Sequence, residues 1–171
     1  MSGNARTNGW KRAVGVAALV VVAVVALATL RLYTGRPASL PEGLDSGGTL
    51  GQAVAREAET GVPVVVFATA AWCGPCQVLK RNGLADERVV AYLSDHAQFV
   101  KLEDTVPEER EQIEQLGVMG YPTLAVIRDG RVVGRLTGAY PADALLAWLR
   151  EHVPESGAAR ADGVARADQA G

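Results

Sequence analysis

Hydrophobic and polar positions divide this chain into stretches of very different texture. Residues 13–30 form an unbroken run of 18 without a charge or an amide side chain, ten of them Val or Leu. On an insertion scale those ten contribute roughly 3–6 kcal/mol toward a bilayer interior, and as a helix the run is about 27 Å long, near the hydrocarbon thickness. Trp10 and Tyr33 bracket it, and Arg6, Lys11 and Arg12 precede it with no acid among residues 1–12. The pattern predicts a disordered cytoplasmic N-terminus over 1–12 and a transmembrane signal-anchor helix over 13–31, with everything after it on the outer side. The alternative is a signal peptide cleaved at about Ala28, since Ala26-Leu27-Ala28 fits an A-x-A site; the length of the run favours the anchor.

Past the apolar run the texture changes twice. Residues 32–48 hold Pro37, Pro41, Gly43, Gly47 and Gly48 without periodicity and read as a linker. A domain is expected over 49–153. Leu50, Val54 and Ala58 fall on one helical face, with Arg56, Glu57 and Glu59 off it, and Gly61 ends that helix. Residues 62–68 are near-continuously apolar, as in a strand covered on both faces. A helix follows from about Cys73, with Asn82-Gly83 suited to a left-handed cap, and a second helical piece covers 86–93. Residues 98–102 read as a strand and Pro107 opens an acidic helix to Leu116. Strands at 123–127 and 132–136 join through Asp129-Gly130, a hairpin signal, and a helix over 141–152 turns Leu145, Leu146 and Leu149 inward. No strand is legible before the helix at 50. Residues 154–171 have no periodicity and read as a disordered tail. Alternating helices and strands closed by a hairpin and a helix imply an α/β domain with a mixed central sheet and helices on both faces.

Charge narrows the function classes. The formal net charge is −2, but five of the 17 Lys and Arg precede Pro41 and none of the 19 acids does, leaving 12 bases against 19 acids in the remainder. An acidic outer domain is a poor nucleic-acid partner. Two cysteines cannot make a disulfide scaffold, and His96 and His152, read as surface residues, lie at no ligand spacing from them, so neither metal nor cofactor is expected. The acids at 108, 109, 111 and 114 read as a solvated helix face.

The chemistry concentrates in Trp72-Cys73-Gly74-Pro75-Cys76, where the strand gives way to a helix. A cysteine at a helix N-terminus meets unpaired N–H groups and the positive end of the helix dipole, which favour a thiolate. Such placement lowers a free-cysteine pKa of roughly 8.5 to about 7 or below. Cys73 is therefore read as an outward-facing nucleophile that attacks a disulfide, and Cys76, one turn on, as the thiol that resolves the mixed disulfide.

The pentapeptide, the downstream Tyr121-Pro122-Thr123 and the element order between them resemble thioredoxin over residues 50–152. The intervening 84–90 is similar to the periplasmic thioredoxin-like domain of thiol:disulfide interchange proteins. The resemblance implies the thioredoxin fold, a redox-active Cys73–Cys76 disulfide and protein disulfide or dithiol clients. It further implies that Pro122 is a cis-proline facing the dithiol, that the Tyr121 backbone pairs with a client strand, and that Trp72 is a contact surface. Gly138-Ala139 matches the loop that lets client backbone approach. Thr123, Gly74 and Pro75 complete the implied groove. Gly74-Pro75 brings no charge or imidazole to Cys73, whereas oxidising relatives often carry His before the second cysteine, so reductase is favoured. An oxidase or isomerase of secreted proteins is the runner-up, and a non-catalytic binding module the third reading. Electrons on the outer side would come from a membrane thiol carrier. One departure stands out: Phe67 occupies the place of thioredoxin's buried acid. A phenyl ring moves no proton, so slow exchange at Cys76 is expected. Lys101 matches the family's lysine near that pocket and is either a proton-transfer group or a surface residue.

Overall fold

The computed structural model describes residues 5–34, 37–44 and 48–155, with side chains of the first helix described over 14–30. The expected tail lies outside the described residues from 156 onward. The chain divides into two units, 1–37 and 38–171. In the first, α1 spans Ala5–Thr34, so it begins inside the stretch expected to be disordered and runs past residue 31. Its described Val and Leu side chains are exposed. Among the described residues no helix is long and apolar enough to cross a membrane.

The second unit is built on a four-stranded sheet of order β2-β1-β3-β4. β1 (Val64–Thr69) is central, parallel to β2 (Gln98–Glu103) and antiparallel to β3 (Thr123–Arg128), which pairs antiparallel with β4 (Arg131–Thr137). Every residue of β1 is buried, as a run without polar alternation requires. The β3–β4 turn carries positive φ at both Asp129 and Gly130, the conformation that suits the twist of a two-residue hairpin.

Two apolar layers sandwich the sheet. On one side Val65, Phe67, Phe99, Leu124 and Val126 pack with α3 (Gly74–Val78), α4 (Glu87–His96) and α6 (Ala142–His152). On the other, Val64, Val66, Val100, Leu102 and Ala125 pack with Ala53 of α2 (Leu50–Thr60) and Ile113 of α5 (Pro107–Gln115). The mixed sheet with helices on both faces is thus as the pattern implied, and no strand precedes α2 among the described residues.

Several local expectations are corrected. The buried face of α2 is Ala53 and Glu57, flanked by half-buried Leu50 and Val54, while Ala58 is exposed. Glu57 is inside because its carboxylate accepts the backbone N–H groups of Asp129 (2.7 Å) and Gly130 (3.4 Å). Part of the expected linker is docked on the domain. Ala38 N–H donates to Gln77 Oε1 (2.6 Å), a 3-10 turn forms at Glu42–Leu44, and Leu44 joins the core beneath α4. No left-handed cap forms at Asn82-Gly83. After α3 the helix widens into a π turn, Leu79–Gly83, closed by Leu84 N–H to Leu79 C=O at 2.8 Å. Gly83 serves close approach instead: a Cβ there would lie 2.8 Å from the Tyr140 carbonyl oxygen. His96 and His152 are half-buried, against Tyr92 and Trp148 respectively, because each lies four residues on from its aromatic partner along one helix face. Glu109 is half-buried and accepts the backbone N–H of Glu103, whereas Glu108, Glu111 and Glu114 are exposed as expected.

Candidate functional site

The site forms where β1 ends and α3 begins. Ala70 C=O accepts Cys73 N–H (3.0 Å), turning the chain out of the strand. Cys73 then caps α3 with extended backbone, φ −82° and ψ 102°, and Pro75 occupies the first turn, where its missing N–H costs no hydrogen bond. Cys73 and Cys76 are joined, Sγ–Sγ 2.02 Å with Cα atoms 5.3 Å apart. Cys76 N–H points at Cys73 Sγ, 3.1 Å away. A donor fixed at that sulfur favours negative charge on it when the pair is reduced.

Exposure is unequal across the motif. Gly74 and Pro75 are exposed and Trp72 is 70% exposed, but Cys76 is fully buried and Cys73 only 3% exposed. Cys73 is therefore not the outward-facing sulfur expected from sequence: capping the helix turns its side chain back over the first turn. Trp72 stands edge-on to the Tyr121 ring with centroids 5.9 Å apart. Tyr121 precedes Pro122 through a cis peptide, and Pro122 is buried.

The remaining candidates divide. Gly138 belongs with Pro122, its N–H donating to the Pro122 carbonyl (2.8 Å) at φ +125°, a conformation that disfavours any side chain. Thr123 is buried, its hydroxyl bonded to Gly120 C=O and paired with Thr137 Oγ1, both 2.7 Å; its side chain braces the start of β3 against β4. Lys101 is exposed on β2, in register with Phe67. Of its two readings, the surface residue is the one its exposure fits.

Four residues at the site escaped sequence reading. Asp104 accepts the Tyr121 hydroxyl (2.9 Å) and lies 3.1 Å from Arg110 Nε, which ties the Trp72–Tyr121 pair to α5. Burial, and then Asp104, push the Tyr121 hydroxyl up to about 12. Lys80 is buried with its Nζ 5.9 Å from the Phe67 ring centroid. Burial pushes its pKa down from 10.5, with Glu103 opposing and Lys101 adding to the drop. Glu103 carries a buried Oε1 without a hydrogen-bond partner among the described residues. Lys80 had a local signal, four positions after Cys76 on the inner face of the same helix; the other three are joined only through the fold. Among the described residues no group of three or more His, Cys, Asp or Glu is placed to hold a metal ion.

Residues 50–152 match the family model of the thioredoxin-like domain. The thioredoxin of Bacillus subtilis is 33% identical over 102 residues, covering 60% of this chain and 92% of that protein. Among solved structures, a thioredoxin from Thermus thermophilus aligns with a TM-score of 0.54 at 27% identity, over 60% of this chain and 82% of its own. The oxidised C-terminal domain of Neisseria meningitidis DsbD shares the fold with a TM-score of 0.51 at 23% identity, over 60% and 90%.

Proposed function

The chain belongs to the thioredoxin-like family, and from that premise we propose that it reduces protein disulfides outside the cytoplasm, held there by its N-terminal helix. Thiol:disulfide exchange itself follows from the family and its C-x-x-C pair. In the reducing direction Cys73 thiolate attacks a client disulfide, and Cys76 displaces the client from the mixed disulfide. The client leaves as a dithiol and the enzyme closes its own disulfide. The observation that carries the reading is the Cys76 N–H aimed at Cys73 Sγ. It offers the attacking sulfur a fixed donor, and Trp72 and Tyr121 stand beside it as a landing surface.

The direction and the side of the membrane rest on sequence. Gly74-Pro75 adds no charge that would hold the reduced state unusually stable, and a less stabilised reduced state makes a better reductant. The uncharged run at 13–30 behind three basic residues supports an anchor with the domain outside. A membrane thiol carrier is the donor that fits this side.

The test couples potential to turnover. The dithiol should equilibrate near the roughly −270 mV of thioredoxin and reduce insulin disulfides with dithiothreitol as electron source. Cys76→Ser should keep attack but accumulate mixed disulfides, reporting clients and donor together. A potential more oxidising than about −180 mV would move the protein to the oxidase and isomerase class.

A further inference from the structure

Resolution at Cys76 has a physical requirement that the family's usual carboxylate does not meet here. Cys76 is fully buried, and a buried thiol resists ionisation because its anion loses solvation. Phe67, at the position of that carboxylate, is itself fully buried in the same apolar layer as both cysteines. The proton of Cys76 must then go to water or to another group near it.

Lys80 is placed for it. It follows Cys76 by four residues, and the turn between them is helical, with Leu79 N–H bonded to Cys76 C=O and Pro75 C=O. Helix positions four apart lie on one face with Cβ atoms about 5–6 Å apart. Both residues are buried, and the Lys80 ammonium nitrogen sits over the ring of Phe67. The charged groups acting on Lys80 are Glu103 and Lys101, both from β2. Lys101 pairs in register with Phe67 and Glu103 with Thr69, so alternation along the strands brings all four to the sheet face beneath the active-site helix.

We propose that Lys80 accepts the proton of Cys76 during resolution, with Glu103 as a positioning residue that sets the charge of the amine. The inference rests on the reductase reading of the Cys73–Cys76 pair. In the step, Cys76 Sγ–H gives its proton to neutral Lys80 Nζ. The Cys76 thiolate attacks Cys73 Sγ, the Cys73–client S–S bond breaks and the Cys73–Cys76 bond forms. The electron pair leaves on the client sulfur, which takes a proton from water. The two enzyme thiols are oxidised and the client disulfide is reduced. Desolvation of the amine favours its neutral form, the form able to accept.

The experiment follows the full chain reacting with oxidised glutathione, quenched with acid and read by mass spectrometry, which separates formation of the Cys73–glutathione mixed disulfide from its loss. Lys80→Met keeps the length and apolar stem of the side chain. Lys80→Arg keeps the positive charge but cannot give up a proton. Both should lengthen the mixed-disulfide lifetime by about tenfold or more near neutral pH, the lower range of general-base effects. Formation by Cys73 should stay unchanged, and the pH at which resolution is half-maximal should rise. A Met variant resolving within about twofold of wild type overturns the proposal, and so does an Arg variant at the wild-type rate, which would assign Lys80 to charge or packing alone. A wild-type chain that forms no mixed disulfide overturns the reductase reading first, and is distinguishable from either result.

Discussion

Enclosing an ammonium beneath a helix disfavours its charged form, and for Lys80 this has a consequence for stability separate from any part in exchange. Its folded-state pKa lies below the ordinary 10.5. Between those two values the unfolded chain holds a proton that the folded chain has released, so the Lys80 contribution to stability rises with pH across that window. Below the folded pKa both states are protonated and the burial cost is felt in full. Lys80→Met should therefore be more stable than wild type near neutrality, with the gap closing as pH approaches 10.5. Melting temperatures of both proteins from pH 6 to 10 measure it; parallel curves would show that Lys80 titrates alike folded and unfolded. At this scale the sequence was legible where chemistry is local. Trp72, Cys73, Gly74, Pro75 and Cys76 are contiguous, and the cap at Cys73 and its pairing with Cys76 follow from a strand running into a helix. Asp104, Glu103 and Arg110 were not, because what recruits them is register between β1 and β2 and the docking of α5, neither of which has a one-dimensional signature. Thr123 shows the same limit: adjacency to Pro122 in sequence says nothing of the hydroxyl's turn toward Gly120 and Thr137.

Among elements, a buried carboxylate joins α2 to the β3–β4 turn. Glu57 is 4% exposed and spends both oxygens on the backbone of Asp129 and Gly130. Hydrogen bonds to a charged group contribute about 1.5–3 kcal/mol, and losing the acceptor leaves two turn donors without it. Glu57→Ala should lower the unfolding free energy by about 2 kcal/mol, read as a lower urea midpoint, while dithiol exchange at the far end of the sheet is retained. A shift under about 0.5 kcal/mol would mean that water replaces the carboxylate without loss. Element types were well marked in the sequence: unbroken apolar residues for β1, Asp129-Gly130 for the hairpin, Pro107 for the start of α5. Faces and ends were less so. The polar side of α2 hid Glu57 because a buried acid looks like a surface one until its partners, 72 and 73 residues away, are known. Asn82-Gly83 suggested a cap because glycine there also serves a tight approach to the Tyr140 carbonyl, and composition does not separate the two uses.

For the molecule as a whole, the chain divides at residue 37 into two units. The unit from Ala38 onward contains the whole sheet, both apolar layers and the dithiol. Its N-terminal edge is fastened by Ala38 to Gln77 on the active-site helix and by Leu44 in the core. A protein beginning at Ala38 should thus fold and exchange disulfides with the potential of the full chain, since the residues described around Cys73 and Cys76 all lie within it. In the proposed reading the first unit sets location. With roughly 3–6 kcal/mol of insertion free energy from its Val and Leu residues, the full chain should remain with the membrane pellet through alkaline carbonate washing, and the 38–171 form should leave it. In intact cells stripped of their outer barrier, added protease should remove the domain from the full chain and spare the first dozen residues. Recovery of the full chain in the soluble fraction, trimmed near Ala28, would instead establish cleavage and release; protection of the domain from protease would reverse the orientation and with it the need for a membrane thiol donor.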